Sequence, residues 1–351
     1  MKRLHIALIY NGSSEVAPES PTDRASTADL LEMIRMMART LRRLGHQVTI
    51  LPLTTDFFAF QRKLRRLNPD VVFNQFEDFA HGATDDMRLV AMLRLMGYPH
   101  TGAPALALGL SHYKFTIASL LAGAGVPIPP NTALLETVGA VKEHKGRFPM
   151  IVQPSQEHAG LGLGRDSIVS SKKALRQKVR DILREFRQPA LVQRFLPGRE
   201  FNVGILGGRK MRVLPLAEVN YTELPPDVPP IMSYAAKWLE DTVEYQKTSI
   251  VCPAPVEPEL ARRIEKVALS AFRAVGGWGY GRVDVRLDEA GEPCVLDINC
   301  NCCLDEGMGL ARSAEQAGIS YPQLLETIIR AALERPTTAT RGRRVSPTML
   351  A

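Results

Sequence analysis

The chain has 351 residues, and 44 Lys and Arg against 37 Asp and Glu give it a formal net charge of +7. At about 150 residues per domain, this length predicts two or three domains with a sizeable core. Apolar residues make up 45% of the chain and charged residues 23%, which excludes an intrinsically disordered protein. No apolar run reaches the roughly 18–20 residues that a membrane span needs.

The tail, residues 336–351, holds three arginines and no acid, so the rest of the chain carries +4. The tail is rich in Thr and Pro without apolar periodicity, and we predict that it is disordered. A charge of +4 without a stripe of aromatic and basic residues predicts no nucleic-acid partner. Five cysteines, all between Cys252 and Cys303, form no disulfide framework. The short apolar run at the amino end predicts a strand rather than a signal peptide, so we expect a cytoplasmic protein with no membrane partner.

The first hundred residues alternate strands and helices. Three short apolar runs predict buried strands at Leu4–Tyr10, Val48–Leu53 and Asp70–Phe73. Apolar positions at helical spacing between Ala28 and Leu41 predict one helix, and a basic helix is predicted around Arg62–Arg66. This repetition predicts a Rossmann-like parallel sheet over residues 1–112. No Gly-x-Gly-x-x-Gly follows the first strand, which argues against a dinucleotide site there.

From about residue 113 the pattern changes to paired strands. A helix is predicted over Tyr113–Ala124, followed by a proline-rich connector. The predicted strands are Phe148–Gln153, Asp166–Val169, Ala190–Phe195, Glu200–Leu206 and Arg209–Val219. Residues 221–247 are rich in proline and lack periodicity, and a loop of that length is often a functional lid. An amphipathic helix over Glu259–Val275, a hairpin and a helix over Tyr321–Leu333 complete the predicted elements.

The hairpin of Gly281–Leu287 and Cys294–Asn299 carries the most informative side chains. Strand alternation predicts that Leu296 and Ile298 share the core face and that the other face is polar. The predicted polar face carries Arg282, Asp284, Asp297 and Asn299. Close carboxylates are unfavourable unless they are protonated or bind a cation, and oxygen ligands of this kind suit Mg²⁺. An ordinary solvated hairpin face is the alternative.

A glycine-rich stretch, residues 155–164, lies between two predicted strands. Because no helix and no Gly-Lys-Ser/Thr follow it, it is neither a P-loop nor a Rossmann turn. Its backbone N–H groups can still surround a phosphate. The alternative is a mobile hairpin loop without a ligand.

Six segments in this order resemble the ATP-grasp superfamily and, within it, the D-alanine–D-alanine ligase family. They are VFNQFED at 72–78, GYPHTG at 97–102, the helix carrying Lys114, YAAKW at 234–238, GYGRVDVRLDEAGEPCVLDIN at 279–299 and QAGISYPQLLETII at 316–329. The resemblance extends from about Leu4 to Leu333. It implies an α/β chain in which an ATP-grasp domain, residues 113–335, follows the Rossmann-like domain. Within that domain it implies a central lobe over about 130–210, a lid over 221–247 and a metal-binding hairpin over 279–299.

The resemblance implies a role for each matched residue. Arg282 and Lys237 would be catalytic: Arg282 would stabilise charge on an acyl-phosphate or tetrahedral intermediate, and Lys237 on the lid would reach the phosphates. Mg²⁺ would be held by Asp284, Asp297 and Asn299. The ATP contacts would come from Lys114, Gln193, Arg194, Leu196, Glu200 and Lys237. To these we add Gln153, which stands at the position of a family lysine, and His158 and Gly160 of the glycine-rich stretch. We expect the substrate contacts to come from Glu77 and, where the chain departs from the family pattern, from Cys300, Cys302 and Cys303.

The implied activity is that of a carboxylate–amine ligase with small-molecule substrates. ATP would phosphorylate a carboxylate, and an amine would then displace phosphate to form an amide. The backbone of residues 193–196 would read adenine, and Glu200 would accept the ribose hydroxyls. The family resemblance leaves a homodimer open.

The departures from the family pattern concern ATP and the substrate. Gln153 stands where the family has a phosphate-binding lysine, which forfeits a charge-assisted hydrogen bond of about 1.5–3 kcal/mol unless Arg165 or His158 compensates. Residues 300–306 replace the family's Pro-Gly-Met-Thr segment, and the amino-terminal glutamate of the family has only Glu15 and Glu19 as candidates. We therefore expect altered specificity. The alternatives are a genuine D-alanine–D-alanine ligase and a non-catalytic protein that binds nucleotide or peptide.

The cysteine cluster follows the predicted metal ligands directly. Cys300 and Cys303 have Cys-x-x-Cys spacing, but no second pair of Cys or His residues stands beside them to complete four ligands, which argues against zinc. We expect them to line the pocket of the acceptor amine instead. His81, close in sequence to Glu77 and Asp78, is a further candidate for the substrate cleft.

Overall fold

The computed structural model describes residues 2–12, 21–77 and 84–336, with the backbone alone for residues 21–28. The amino-terminal part is a three-stranded parallel sheet in the order β2-β1-β3. Its strands are β1 (His5–Asn11), β2 (Gln47–Leu53) and β3 (Val71–Gln75). Its helices are α1 (Pro21–Arg43), α2 (Phe57–Leu67), α3 (Asp85–Leu95) and α4 (Ala105–Ser111). Helices cover the sheet, so β3 is buried along its whole length, as parallel strands usually are. The predicted parallel sheet is confirmed.

A four-stranded antiparallel sheet in the order β4-β7-β5-β6 follows helix α5 (Lys114–Gly123). Its strands are β4 (Ala133–Leu135), β5 (Met150–Pro154), β6 (Ile168–Val169) and β7 (Ala190–Arg194). Helix α6 (Lys172–Glu185) packs on this sheet through Leu175, Val179 and Ile182. The strand predicted over Asp166–Val169 is shorter than expected, because residues 165–167 form a 3₁₀ turn.

A six-stranded antiparallel sheet forms the floor of the carboxyl-terminal part, in the order β11-β10-β8-β12-β13 with β9 beside β8. Its strands are β8 (Glu200–Gly207), β9 (Arg212–Val213), β10 (Ala217–Asn220), β11 (Ser249–Val251), β12 (Gly279–Leu287) and β13 (Pro293–Asn299). Its helices are α9 (Pro258–Ala274), α10 (Gly309–Gln316) and α11 (Tyr321–Glu334). The single strand predicted over Arg209–Val219 is two strands. The break contains Pro215, which has no N–H for the ladder.

Between these elements, residues 221–247 form the segment predicted as a lid. It contains two short helices, α7 (Tyr234–Trp238) and α8 (Val243–Gln246), so it is more ordered than the sequence suggested. Ser233 caps α7 and Thr242 caps α8, each through its hydroxyl oxygen.

A β-bulge changes the alternation on β13. Asp284 pairs with Asp297 and Val285 pairs with Val295, so Leu296 is the extra residue. Val295 and Ile298 therefore both enter the core, and Leu296 is only half-buried. The prediction that Leu296 and Ile298 share the core face is wrong. Asp297 lies two residues after Val295, but the extra residue Leu296 between them places Asp297 on the polar face, opposite Asp284.

The largest core joins both ends of the chain. Ile6, Leu8 and Phe73 from the first sheet pack in one cluster with Tyr280 of β12 and Ile328 of α11. The proposed boundary at residue 112 therefore separates two folding patterns that share a hydrophobic core.

Among the described residues, no single helix is long and apolar enough to cross a membrane. Helices α4 and α5 are long and apolar enough only when taken together, and the pair is bent by 111°. Leu108, Ile117 and Leu121 of these helices are buried in an apolar cluster with Phe272 of α9 and Val283 of β12.

Candidate active site

The polar face of the six-stranded sheet forms the floor of the candidate site. Arg282 and Asp284 lie two residues apart on β12 and therefore point to the same side, with Asn202 of β8 opposite Asp284. The Arg282 guanidinium donates two hydrogen bonds to the Asp284 carboxylate, at 2.7 and 3.0 Å. Asn202 Nδ2 donates a third at 2.9 Å. The negative charge of Asp284 raises the pKa of Arg282, so the guanidinium remains charged.

Charges from three elements meet at this hairpin. Burial opposes ionisation of Asp297, but Lys114 and Arg282 outweigh it, and the pKa of Asp297 lies below its usual value. Burial and the nearby Arg282 lower the pKa of Lys237, while Asp284 and Asp297 act in the opposite direction. The structure thus places the lid lysine and the predicted metal-binding carboxylates within electrostatic reach of each other.

The donor set of Asp284, Asp297 and Asn299 fits a hard divalent cation, since it offers two carboxylates and one amide oxygen. No group of three or more His, Cys, Asp or Glu side chains in the described ranges is arranged to hold a metal. Protein ligands this few suit Mg²⁺, which keeps several waters and binds substrate phosphates. The Asn299 Oδ1 atom also accepts a hydrogen bond from the Asn301 N–H at 2.9 Å, which holds the amide in place.

The glycine-rich loop is anchored by a chain of hydrogen bonds. Lys114 Nζ donates to the carbonyl of Glu157 at 2.5 Å. His158 Nε2 lies 2.9 Å from His112 Nδ1, and His112 Nε2 lies 3.0 Å from the Asp86 carboxylate. The carboxylate accepts from His112 Nε2–H, which leaves Nδ1 to accept from His158. Asp86 and His112 were not predicted, because residues distant in sequence meet here only through the fold.

The loop also touches the lid. Gly160 has φ +82°, and a Cβ at this position would lie 2.8 Å from the Tyr234 nitrogen and 2.9 Å from the Ser233 carbonyl carbon. Trp238 Nε1 donates to the carbonyl of Ala159 at 3.1 Å. Glycine is therefore required at 160 for the loop to approach the backbone at the start of α7.

Neither residue suggested to compensate for Gln153 supplies a free cation. Gln153 lies half-buried on β5. Arg165 donates to Glu244 at 2.8 Å and to Asp227 at 3.3 Å, so it is engaged with the lid. Burial and the nearby Lys114 lower the pKa of His158 to about 4, which leaves it neutral at pH 7.

The side chains of the segment predicted to read adenine contact neighbouring elements. The Gln193 amide donates to Thr132 Oγ1 at 3.1 Å, and Leu196 is buried. The Arg194 guanidinium donates to Glu289 at 3.0 and 2.5 Å. The Arg194 side chain is thus engaged with the hairpin turn.

Glu200, predicted to take the ribose hydroxyls, is buried in a group that the sequence did not reveal. Arg286 donates to Glu200 Oε2 at 2.9 Å, and the Tyr221 hydroxyl donates to the same oxygen at 3.0 Å. Burial raises the pKa of Glu200, and the charge of Arg286 opposes that shift. Arg286 continues the period-two pattern of Arg282 and Asp284, and that pattern was the signal that could have identified it.

The structure does not bring the three cysteines together as a pocket wall. Cys300 and Cys302 are 1% and 3% exposed and pack in two different cores, and only Cys303 is exposed. Burial raises the pKa of Cys302 to about 12, so its thiol stays protonated at neutral pH. Burial also raises the pKa of Cys303, and the carboxylates of Asp305 and Glu77 contribute to the shift. The charge of Arg282 acts on this pKa in the opposite direction.

A polar network joins the first sheet to the loop after β13. Gln75 donates to the Tyr280 hydroxyl at 3.0 Å, which donates to Asn301 Oδ1 at 2.8 Å. Asn301 Nδ2 donates to the carbonyl of Phe76 at 3.0 Å. The network holds the loop after β13 against the end of β3. The candidates Glu15, Glu19, Asp78 and His81 lie outside the described residues.

Solved structures show the class of fold. A D-alanine–D-alanine ligase from Bacillus anthracis, in a crystal structure complexed with ATP, matches with a TM-score of 0.69 at 20% identity. The match covers 94% of this chain and 97% of that chain. The fold is therefore that of the ATP-grasp proteins, and the predicted fold class is confirmed.

Sequence comparisons show the family. Residues 120–330 match the family described as D-ala D-ala ligase C-terminus. A D-alanine–D-alanine ligase from Geobacter sulfurreducens is 32% identical over 269 residues, which is 74% of this chain and 79% of that protein. An uncharacterized protein, y4sG of Sinorhizobium fredii, is 34% identical over 268 residues, 76% of this chain and 75% of that protein. The chain belongs to the D-alanine–D-alanine ligase family, a family of ATP-dependent ligases, and the resemblance found in the six segments is confirmed.

Proposed function

We propose that this protein is an ATP-dependent carboxylate–amine ligase whose acceptor differs from D-alanine. The observation that carries the proposal is the meeting of Lys237, Arg282 and the paired carboxylates at one hairpin. In an ATP-grasp protein this is the place where a phosphoryl group is transferred. We further propose a cytoplasmic setting, which suits five free cysteines.

The proposed reaction has two balanced steps. A substrate carboxylate oxygen attacks the γ-phosphorus of ATP, and ADP leaves with the electron pair of the broken P–O bond. A neutral amine then attacks the acyl carbon, phosphate leaves, and the amine loses a proton. Arg282 would neutralise the oxyanion of the second step, because its charge is held in place by two hydrogen bonds to Asp284. Mg²⁺ on Asp284, Asp297 and Asn299 would supply charge neutralisation for the phosphates.

The proposed acceptor follows from the charge beyond β13. The charges of Asp305 and Glu77 both raise the pKa of Cys303, and Glu306 is exposed beside Asp305. Acidic side chains here repel a free carboxylate and attract a cation. We therefore propose a larger or more basic amine, such as a diamino acid or a peptide amino terminus.

The second candidate, a genuine D-alanine–D-alanine ligase, is favoured by the names of relatives. One such ligase, from Marinomonas, is 28% identical over 344 residues, which is 95% of this chain. The altered residues 300–306 argue against this candidate.

The test is a screen of amino-acid and dipeptide pairs for ATP-dependent phosphate release, with each substrate omitted in turn. We expect release with a diamino acid or peptide amine, and little with D-alanine as sole substrate. Formation of D-alanyl-D-alanine at a kcat/KM of about 10⁴ M⁻¹s⁻¹ or more would support the second candidate instead. ATP binding without release for any pair would indicate a non-catalytic binding protein.

A further inference from the structure

Arg286 is a buried cation that joins the floor of the site to the lid. Its Nη1 atom donates to Glu200 Oε2 at 2.9 Å and to the carbonyl of Pro230, in the lid, at 2.8 Å. The guanidinium carbon lies 5.0 Å from the centre of the Phe195 ring and 5.6 Å from that of Tyr221. The residue is 3% exposed. A single guanidinium thus contacts Glu200 of the sheet, Phe195 of the segment 193–196, and the lid at Tyr221 and Pro230.

Packing alone does not account for this arginine. Apolar residues of similar volume often replace a buried ion pair without loss of stability. The Nε atom of Arg286 is buried with no hydrogen-bond partner in the structure, which is unfavourable for a purely structural residue.

The two hydrogen bonds to the Glu200 carboxylate share one acceptor oxygen. Arg286 and Tyr221 both donate to Oε2, so the other carboxylate oxygen, Oε1, remains to accept a hydrogen bond from a ligand. The positive charge of Arg286 favours the ionised form of the Glu200 carboxylate against the effect of burial, and an ionised carboxylate only accepts hydrogen bonds.

We propose that Arg286 is a positioning residue that orients Glu200 to accept the ribose hydroxyls of the nucleotide and fastens the lid over them. The inference rests on the proposed function, because it requires ATP to bind between this sheet and the lid. It goes beyond that function by assigning ribose discrimination to a residue that does not itself need to touch the reacting atoms.

The experiment compares the binding of ATP, 2′-deoxy-ATP and 3′-deoxy-ATP by calorimetry, with Mg²⁺ and without carboxylate or amine. We expect the full chain to bind ATP more tightly than at least one deoxy analogue by roughly tenfold, the value of one hydrogen bond to a charged group. In Arg286→Met this ratio should fall towards one, and Arg286→Lys should restore part of it. Tyr221→Phe, which removes one of the two bonds to Oε2, should give an intermediate ratio.

Arg199→Met is the matched control. Arg199 also pairs with a glutamate, Glu218, lies 5.1 Å from the centre of an aromatic ring, Phe201, and donates to a proline carbonyl, but it is more exposed than Arg286. Its ratio should equal that of the unaltered chain.

A second readout is limited proteolysis of the lid. ATP should slow cleavage within residues 221–247 in the unaltered chain and in Arg199→Met, and should slow it less in Arg286→Met. Tight ATP binding with an unchanged ratio in Arg286→Met would overturn the inference and leave the proposed function standing. Equal binding of all three nucleotides by the unaltered chain would do the same. No binding of any nucleotide would overturn both. If Arg286→Met does not fold, Tyr221→Phe and Arg286→Lys decide the question by the same ratio.

Discussion

At the scale of single residues, Asp284 and Asp297 face each other across β12 and β13. Both are on the polar face, and neither supports the apolar core. We expect Asp284→Ala and Asp297→Ala to lose phosphate release by at least about a hundredfold, because preorganised charge is removed where phosphoryl transfer takes place. Steady-state kinetics with Mg²⁺, alongside thermal unfolding to confirm the fold, is the measurement.

The matched control is Glu292→Ala. Glu292 is a carboxylate of the same hairpin that pairs with Arg263 near the turn and is exposed. Its loss should leave turnover nearly unchanged. Near-normal phosphate release in either aspartate variant would contradict the metal-hairpin assignment.

Gln153 is the second residue whose replacement is informative. If it occupies the position of a phosphate-binding lysine, Gln153→Lys should tighten the binding of a non-hydrolysable ATP analogue by up to about tenfold. Gln153→Met, of similar length and without charge, should not. Calorimetric titration of the unaltered chain and the two variants with the analogue measures the three affinities. Weaker binding by the lysine variant would mean that Lys114 or Lys237 already fills the space.

At the scale of elements, two hydrogen bonds, between Asp86 and His112 and between His112 and His158, connect α3 of the first domain to the glycine-rich loop. Removing His112, the middle residue, should let the loop move without disturbing either core. We expect His112→Phe to raise KM for ATP several-fold, with a smaller change in kcat, since a misplaced loop weakens the binding of phosphates more than it affects a bound complex.

Asp86→Asn should have an effect of the same sign, because the amide does not fix the His112 tautomer as a carboxylate does. Asp85→Asn at the neighbouring position is the control, because Asp85 pairs with Arg88 and is not hydrogen-bonded to His112. An unchanged KM for ATP in His112→Phe would show that the loop is held by other contacts, such as that of Lys114 with the Glu157 carbonyl.

At the scale of the whole molecule, α11 packs against α1 and β3, so the last helix completes the core of the first sheet. Ile328 is fully buried in that core. We expect Ile328→Ala to lower the free energy of unfolding by about 2–5 kcal/mol, the usual cost of such a cavity. Denaturant unfolding followed by circular dichroism measures it.

Arg330→Ala, on the exposed side of the same helix, should change stability by about 0.5 kcal/mol or less. The two halves should unfold together in Ile328→Ala as in the unaltered chain. Separate transitions for the first sheet and the rest would show that the shared core does not couple them.

Local sequence was sufficient for much of the architecture. Apolar runs and helical spacing predicted β1, β2, β3, α9 and α11, because each of these elements buries one continuous face or run of residues. Alternation along residues 282–299 predicted a polar hairpin face with Arg282, Asp284 and Asp297, because side chains on a strand alternate regardless of what packs around them.

The tertiary structure decided the points at which distant residues meet. The bulge at Leu296 depends on the register of two strands, and the burial of Cys300 and Cys302 depends on helices that pack on them from elsewhere in the chain. The partners of Glu200 come from positions 221 and 286, and those of His158 from 112 and 86. Sequence alone determined the family, the polar hairpin and the order of the elements, since these follow from local pattern and motif. Which charges are paired, buried or left for a ligand follows from three-dimensional contacts, because the energy of a charge depends on the atoms around it and not on its neighbours in the chain.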